Sequence, residues 1–157
     1  MSDVRVGLGV DAHAFVDGVP LVLGGVRFDS PRGLAGHSDG DVVTHALIDA
    51  LLGAAGLGDI GSLFPSDTST PKGISSLDLL RDAYAQVRGA GYSVANADCV
   101  LIGEQPRIAD RRSEMEETLG AVVGAPVTVH ATTTDQLGFT GRREGLAAQA
   151  VALVERR

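Results

Sequence analysis

Residues able to hold a metal ion or carry a proton concentrate in the first third of this chain. The run His37-Ser38-Asp39-Gly40-Asp41 leads into an apolar segment carrying His45, and Asp11 and His13 stand upstream. Asp11 and His13 fall two apart in a segment of strand character, so their side chains leave the strand on one face. After Asp41 the chain reads Val42, Val43, Ala46, Leu47, Ile48, Ala50, Leu51, Leu52, a helix that is apolar around most of its circumference and therefore buried. Its polar exceptions, Asp41, His45 and Asp49 with Thr44 beside them, stack on one face and need something polar to meet. One carboxylate and two imidazoles leaving a fourth position open describe a catalytic divalent-metal site, for which Zn²⁺ suits the N/O donor set. A lone histidine is more often an ordinary hydrogen-bonded group; the Asp-x-His pair combined with His45 on an acidic stripe favours the metal.

Other segments carry weaker chemistry. Thr132-Thr133-Thr134-Asp135 followed by Gly138-Phe139-Thr140-Gly141-Arg142 combines hydroxyls, free amides and one guanidinium, which suits a phosphate cradle or simply a β-branched strand with a loop arginine. Gly58-Asp59-Ile60-Gly61 suits either polyol hydroxyls or a solvated turn. Lys72, Arg107 and Glu114–Glu117 read as solvated surface, and His130 as structural or at a rim. No P-loop, nucleophile elbow or Cys-x-x-Cys pair is present.

These groups must be positioned by a fold. Val4, Val6, Leu8 and Val10 alternate as in a half-buried strand. Leu21–Leu23, Gly24-Gly25 and Val26–Phe28 form a hairpin signal. A helix is expected over 41 to about 56, ended by Gly56 and Gly58, then a loop to Gly73. Ser75 or Ser76 caps a second helix with Leu77, Leu80, Ala83, Tyr84 and Val87 inward, stopped by Gly89 and Gly91. Tyr92–Ile102 reads as a strand with Val94, Ala97, Cys99 and Leu101 inward. A third helix uses Ile108, Met115 and Leu119, Val127–Thr134 is a strand, and residues 143–155 read as a last helix with Leu146, Ala147, Ala150, Val151 and Val154 on one face. The sum is an α/β chain of α+β type: one domain over residues 1–157, a mixed sheet with helices packed on one face.

A length of 157 residues fits one domain with a real core, and 44% hydrophobic residues mark a globular chain. A net charge of −7 argues against a nucleic-acid binder but not against a phosphorylated substrate, and 4% aromatics with no tryptophan leave no stacking platform. No apolar stretch reaches membrane-span length, and the start Met1-Ser2-Asp3-Val4 runs straight into a strand, so no targeting peptide and no membrane is expected. The single cysteine, Cys99, excludes an internal disulfide and fits a cytoplasmic location.

Taken together, Gly9-Val-Asp11-Ala-His13-Ala-Phe15, Gly24-Gly25, His37-Ser-Asp-Gly-Asp-Val42, His45 through Gly53, Gly58-Asp-Ile-Gly61, Ala131-Thr-Thr-Thr134 and Leu137-Gly-Phe-Thr-Gly-Arg142 resemble the 2-C-methyl-D-erythritol 2,4-cyclodiphosphate synthase family, from about residue 4 to residue 155. The resemblance implies conversion of 4-diphosphocytidyl-2-C-methyl-D-erythritol 2-phosphate to the cyclic diphosphate with release of CMP, a phosphorus–oxygen lyase of the non-mevalonate isoprenoid pathway. It implies zinc on Asp11, His13 and His45, with His37 and Thr133 orienting the transferring phosphoryl group. Ser38 would contact phosphate; Asp59, Gly61, Phe64, Pro65 and Asp67 would surround the methylerythritol. The loop from Gly103 through Pro106 would receive cytosine, with Thr132 and Thr134 near the diphosphate. A second divalent cation, Mg²⁺ or Mn²⁺, would rest on Asp135. The resemblance further implies a homotrimer with interfacial active sites, and an axial tunnel holding an isoprenoid diphosphate near Phe139 and Arg142. Asp135 replaces a glutamate usual in the family, Phe64-Pro-Ser-Asp-Thr-Ser69 retains only one acidic residue, Asp67, and the stretch from Pro106 to Gly120 is about one helical turn short. By residue chemistry alone, the Asp-His-His site also suits a metal-dependent phosphodiesterase or pyrophosphatase, or a zinc-stabilised module that binds isoprenoid diphosphates.

Overall fold

The apolar run after Asp41 forms the central helix, and the sheet is built around it. In the computed structural model, which describes residues 3–157, this helix is α1 (Val42–Ala55), with eleven of its side chains buried. Met1 and Ser2, on which the expectation of no targeting segment partly rests, lie outside the described residues. Asp41 is the N-cap and is fully buried. Its carboxylate accepts from the amides of Gly24 (2.8 Å), Gly25 (2.7 Å) and Thr44 (3.0 Å) and from the Thr44 hydroxyl (2.6 Å). Burial pushes its pKa up, against the pull of those donors. Asp41 thus ties α1 to the turn between β2 (Leu21–Leu23) and β3 (Val26–Phe28), where both glycines have positive φ as a tight hairpin needs.

The main sheet has the order β4-β1-β7-β5-β6, made of β1 (Val4–Asp17), β4 (Arg32–Leu34), β5 (Tyr92–Ile102), β6 (Val127–Thr132) and β7 (Gly145–Arg156). Only the β5–β6 pair is parallel, so the sheet is mixed as expected. Helix α1 lies across β1, β7 and β5; α3 (Ser76–Gly89) packs on α1, and α4 (Arg112–Val123) on α3 and β6. Ser75 caps α3 by accepting from the Leu77 amide. Cys99 is buried in β5, where desolvation pushes its thiol up to about 12.

The expected helix over 143–155 is instead β7. Leu146, Ala148, Ala150, Ala152 and Val154 are buried in strict alternation, and the strand hydrogen-bonds to β1 on one side and β5 on the other. Its alanine content favours helix locally, but pairing on both edges decides the outcome. In β1 the alternating apolar residues are the exposed ones. Val4, Val6, Leu8 and Val10 point away from α1, Val6 66% and Leu8 64% exposed, while Gly7 and Gly9 face the helix. A Cβ on Gly9 would stand 1.8 Å from the Ala46 carbonyl oxygen, so only glycine lets strand and helix approach this closely.

Smaller differences have local causes. The 58–73 loop contains a short helix, α2 (Ile60–Leu63), started by an Asp59–Ser62 capping box. A bulge between Val94 and Asn96 shifts the phase of β5, leaving Val94 half-buried while Ala97, Cys99 and Leu101 are buried. In α3 the inward residues include Leu79, with Leu77 and Tyr84 at the margin. Strand β6 ends at Thr132, so Thr133 and Thr134 lie beyond it, ahead of the single turn α5 (Gly138–Gly141).

Candidate active site

The close packing of β1 on α1 brings the expected triad together. Asp11 Oδ2 stands 2.7 Å from His13 Nε2 and 3.1 Å from His45 Nδ1, and the two ring nitrogens are 3.2 Å apart. Among the described residues these three form a group able to hold a metal ion. Tetrahedral zinc ligands about 2.0–2.1 Å from the ion stand roughly 3.3 Å from one another, so little adjustment is needed to fit one. Burial works to raise the Asp11 carboxyl, yet hydrogen bonds from His13 and His45 outweigh it and hold it at about 2. The Asp11 hydrogen bond raises the His13 imidazole in turn. A carboxylate stabilised as an anion between two imidazoles is the charge arrangement a divalent cation would complete.

The other ring nitrogen of His45, Nε2, lies 2.9 Å from Ser38 Oγ and 2.8 Å from Ser76 Oγ. Ser76 donates its hydroxyl proton to Asp39. Sequence reasoning treated Ser76 only as a possible cap and Asp39 only as part of a run; their meeting around His45 is visible only once α3 packs on α1. Asp49, one turn further along α1, accepts the Ile60 amide at 2.7 Å and so anchors α2 beside the triad.

A cavity of about 170 Å³ opens on the triad, lined further by His37, Ser38, Ile60, Gly61, Phe64, Ser66, Thr70 and Leu79. His37 is oriented by the Thr70 carbonyl, 2.5 Å from Nε2, which leaves Nδ1 for other partners. A second, larger groove of about 710 Å³ runs past Gly103, Pro106, Thr132 and Thr133, with Arg32, Arg107 and Arg143 around it. Arg32 stacks on Phe15 at 4.3 Å, and Arg143 is held at φ 63°, an unusual backbone for a non-glycine residue. Neither Arg32 nor Arg143 was singled out by the sequence.

The remaining expected residues lie outside both cavities. Asp59 is exposed and caps α2, and Asp67 is exposed and accepts from Ser69. Pro65 adjoins Phe64 without lining the triad cavity. Thr134 turns inward, donating to the Leu137 carbonyl at 2.7 Å and meeting the Thr140 hydroxyl at 3.0 Å. Asp135 is exposed at φ 52° and apart from the triad. Phe139 is part-exposed, and Arg142 pairs with Glu144 at 2.8 Å.

With the triad, its serine partners and the two cavities defined, comparison with known proteins is decisive. The YgbB family model matches residues 4–155, nearly the whole chain. The chain belongs to the YgbB family. One YgbB relative, 2-C-methyl-D-erythritol 2,4-cyclodiphosphate synthase of Rubrobacter xylanophilus, is 54% identical over 99% of this chain and 98% of its own. Among solved structures, the bifunctional IspDF from Campylobacter jejuni superposes with a TM-score of 0.95 at 38% identity, covering 100% of this chain and 43% of that one. The CDP complex of IspF from Plasmodium falciparum superposes with a TM-score of 0.84 at 29% identity, covering 98% of this chain and 97% of that one. The YgbB fold therefore accounts for the whole described chain.

Proposed function

We propose that this YgbB protein is a 2-C-methyl-D-erythritol 2,4-cyclodiphosphate synthase of the non-mevalonate isoprenoid pathway. Acting as a phosphorus–oxygen lyase, it closes 4-diphosphocytidyl-2-C-methyl-D-erythritol 2-phosphate into the cyclic diphosphate and releases CMP. The observation that carries this reading is the convergence of Asp11, His13 and His45 on the lining of a small cavity, in a chain 54% identical to a synthase of that name. The substrate's 2-phosphate oxygen bonds to the β-phosphorus, and the bond from that phosphorus to the oxygen it shares with the α-phosphorus breaks, so CMP leaves carrying the electron pair. The nucleophile is already an anion near neutral pH, so no activating triad is needed, and positioning with charge neutralisation does most of the work.

Asp11, His13 and His45 would hold zinc and Asp135 a second cation, Mg²⁺ or Mn²⁺; such ions would supply Lewis-acid neutralisation of the phosphoryl oxygens. His37, whose Nε2 is taken by the Thr70 carbonyl, offers Nδ1 to the transferring phosphoryl group, and Ser38 offers its hydroxyl to phosphate. Gly61 and Phe64 line the same cavity and pack the methylerythritol, with Asp59, Pro65 and Asp67 contributing from the adjoining segments outside it. The Gly103–Pro106 loop takes cytosine, and Thr132, Thr133 and Thr134 lie along the diphosphate, in the larger groove or beside it.

One chain presents the triad cavity and the nucleotide groove as separate hollows, which supports an active site shared between subunits. The apolar stripe Val4, Val6, Leu8, Val10 and Val151 on the uncovered face of the sheet supports a homotrimer closing through that face. Phe139 and Arg142 would then approach the axis, where an isoprenoid diphosphate binds. Among the described residues no helix is long and apolar enough to cross a membrane, and the cytoplasm is the proposed location.

A phosphorus NMR time course with the diphosphocytidyl substrate, Zn²⁺ and Mg²⁺ tests the reading. CMP appearing together with a cyclic diphosphate is expected. A linear product carrying oxygen from water would make the protein a hydrolase, and tight diphosphate binding with no turnover would make it a binding module.

A further inference from the structure

We infer that Asp49 is a positioning residue that sets one wall of the triad cavity, by holding the single turn α2 against the helix that carries His45. The inference deepens, and rests on, the reading of that cavity as the site of a phosphorylated polyol. Asp49 does not line the cavity, whereas Ile60 and Gly61 of α2 and Phe64 at its C-cap do. A phenyl ring, a branched aliphatic side chain and a glycine suit the carbon skeleton of a branched polyol.

A helix of four residues has no stability of its own, because nucleation costs more than one turn of hydrogen bonds returns. Within the turn, the Asp59 carboxylate accepts from the Ser62 amide at 2.8 Å, the Ser62 hydroxyl donates to the Asp59 carbonyl at 2.9 Å, and the Phe64 amide donates to the Ile60 carbonyl at 2.8 Å. These bonds shape α2 but tie it to nothing else. The Ile60 amide opens the turn and has no acceptor inside it. It donates instead to Asp49 Oδ1 at 2.7 Å. Ile60, Leu63 and Phe64 also pack, part-buried, against the core, but apolar contact is non-directional, and only the hydrogen bond fixes where the turn sits. Asp49 follows His45 by four residues, one turn along the largely buried α1, so the anchor and the expected metal ligand belong to one rigid element. The far end of the wall is held separately: the Thr70 carbonyl meets His37 Nε2, and the Gly73 amide donates to the His37 carbonyl at 2.7 Å. Between the two anchors Ser66–Ser69 is exposed, so releasing Ile60 frees the wall at its α2 end.

The experiment compares full-length wild type, Asp49→Asn and Asp49→Ala by hydrogen exchange of the 60–64 amides, by zinc affinity in chelator competition, and by turnover of the diphosphocytidyl substrate. In Asp49→Ala those amides should exchange about 10- to 100-fold faster, the usual worth of a hydrogen bond to a carboxylate. Its kcat/KM should fall by up to about 100-fold, the cost of misplacing a bound substrate by about 1 Å, with KM carrying most of the change. Zinc affinity should stay at the wild-type value. Asp49→Asn keeps an acceptor and should restore both exchange and KM. Ile60→Pro removes the donor from the other side: proline is accepted at the first position of a helix, and Asp59, at φ −141° and ψ 174°, already has the extended backbone that precedes one. Adding Asp49→Ala to Ile60→Pro should speed exchange of the 61–64 amides no further. Unchanged exchange in folded Asp49→Ala or Ile60→Pro overturns the anchor. Faster exchange with unchanged kcat/KM, weaker zinc binding in Asp49→Ala, or failure of Asp49→Asn to restore KM overturns the positioning role. Wild type with protected 60–64 amides that turns over no diphosphocytidyl substrate leaves the anchor standing and overturns the polyol reading.

Discussion

Replacing Gly9 by alanine tests whether the closeness of β1 and α1 is what assembles the triad. The added Cβ would lie 1.8 Å from the Ala46 carbonyl oxygen and 2.8 Å from the Ala46 carbonyl carbon and the Ala50 nitrogen. All three are helix backbone, so no side chain can rotate away. Ordinary van der Waals contact begins near 3.4 Å, so helix and strand must separate by about 1.6 Å. His45 immediately precedes Ala46 and moves with it, whereas Asp11 and His13 stay with the strand. A metal site tolerates only about 0.2 Å of error in its ligand distances, so zinc affinity should fall by more than the roughly 100-fold that loss of an outer partner can cause. Overpacking of this kind costs about 1–3 kcal/mol or more, and at about 3 kcal/mol the fall in Tm for a chain of this size is about 6–12 °C. Chelator competition and thermal denaturation of the metal-free protein measure the two effects. Gly53→Ala, on the same helix with open space at its Cβ, is the control and should be stabilised by up to about 1 kcal/mol. A Gly9→Ala protein indistinguishable from wild type in both assays would refute the argument.

Two further outcomes are expected. Leu8→Asp places a charge in the exposed apolar stripe, where the protomer's own core is untouched, so its far-UV spectrum should be unchanged while sedimentation shifts from trimer to monomer and turnover is lost; a variant that remains trimeric and active would refute the proposed interface. Asp49 is raised by desolvation against the pull of its Ile60 hydrogen bond, so the folded chain takes up this proton at a higher pH than the unfolded chain does. Its contribution to stability is therefore least favourable above the folded pKa and improves as pH falls toward the unfolded value of 3.8. Asp49→Asn keeps an acceptor for Ile60 without the charge, so melts should show it more stable than wild type at pH 7, the difference vanishing below about 3.8; a variant that is less stable at pH 7 would sink this account.

The legible parts of the sequence were those governed by local rules. The Gly24-Gly25 hairpin and the apolar circumference of α1 each depend on neighbours in sequence, and each formed as expected. The Asp11, His13 and His45 triad was legible because two of its members share a strand face and the third sits on a helix with no other reason to carry an imidazole. What misled was context. The β7 run is apolar nearly throughout, so periods of 2 and 3.6 fit it about equally, and its strand state follows only from pairing with β1 and β5. The β1 alternation marked a strand, but its covered face is made of Gly7 and Gly9 while the larger side chains look outward. Hydrophobicity ranks valine as interior, whereas here the interior position is decided by the space a helix backbone leaves.

That outward face bears on how an acidic chain can manage a polyanionic substrate. With a net charge of −7 the whole-molecule field opposes a diphosphate, but at physiological ionic strength that field decays over about 8 Å, so the charges within a few ångströms decide binding. Around the larger groove guanidiniums outnumber carboxylates three to two, Asp29 and Glu104 also lying on its lining. Arg32, Arg107 and Arg143 surround the larger groove, and a divalent ion on the triad would add its own charge beside the smaller cavity. Arg143 adopts a positive φ that costs on the order of 1–3 kcal/mol for a non-glycine residue, so the fold stabilises a strained backbone where it adds a third guanidinium to the groove. The two positive centres occupy different hollows of one chain, and the apolar stripe of β1 and β7 is the surface through which copies would associate. If assembly sets the groove of one subunit against the triad of another, a single substrate spans both cations and arginines, and neither hollow alone needs to hold it.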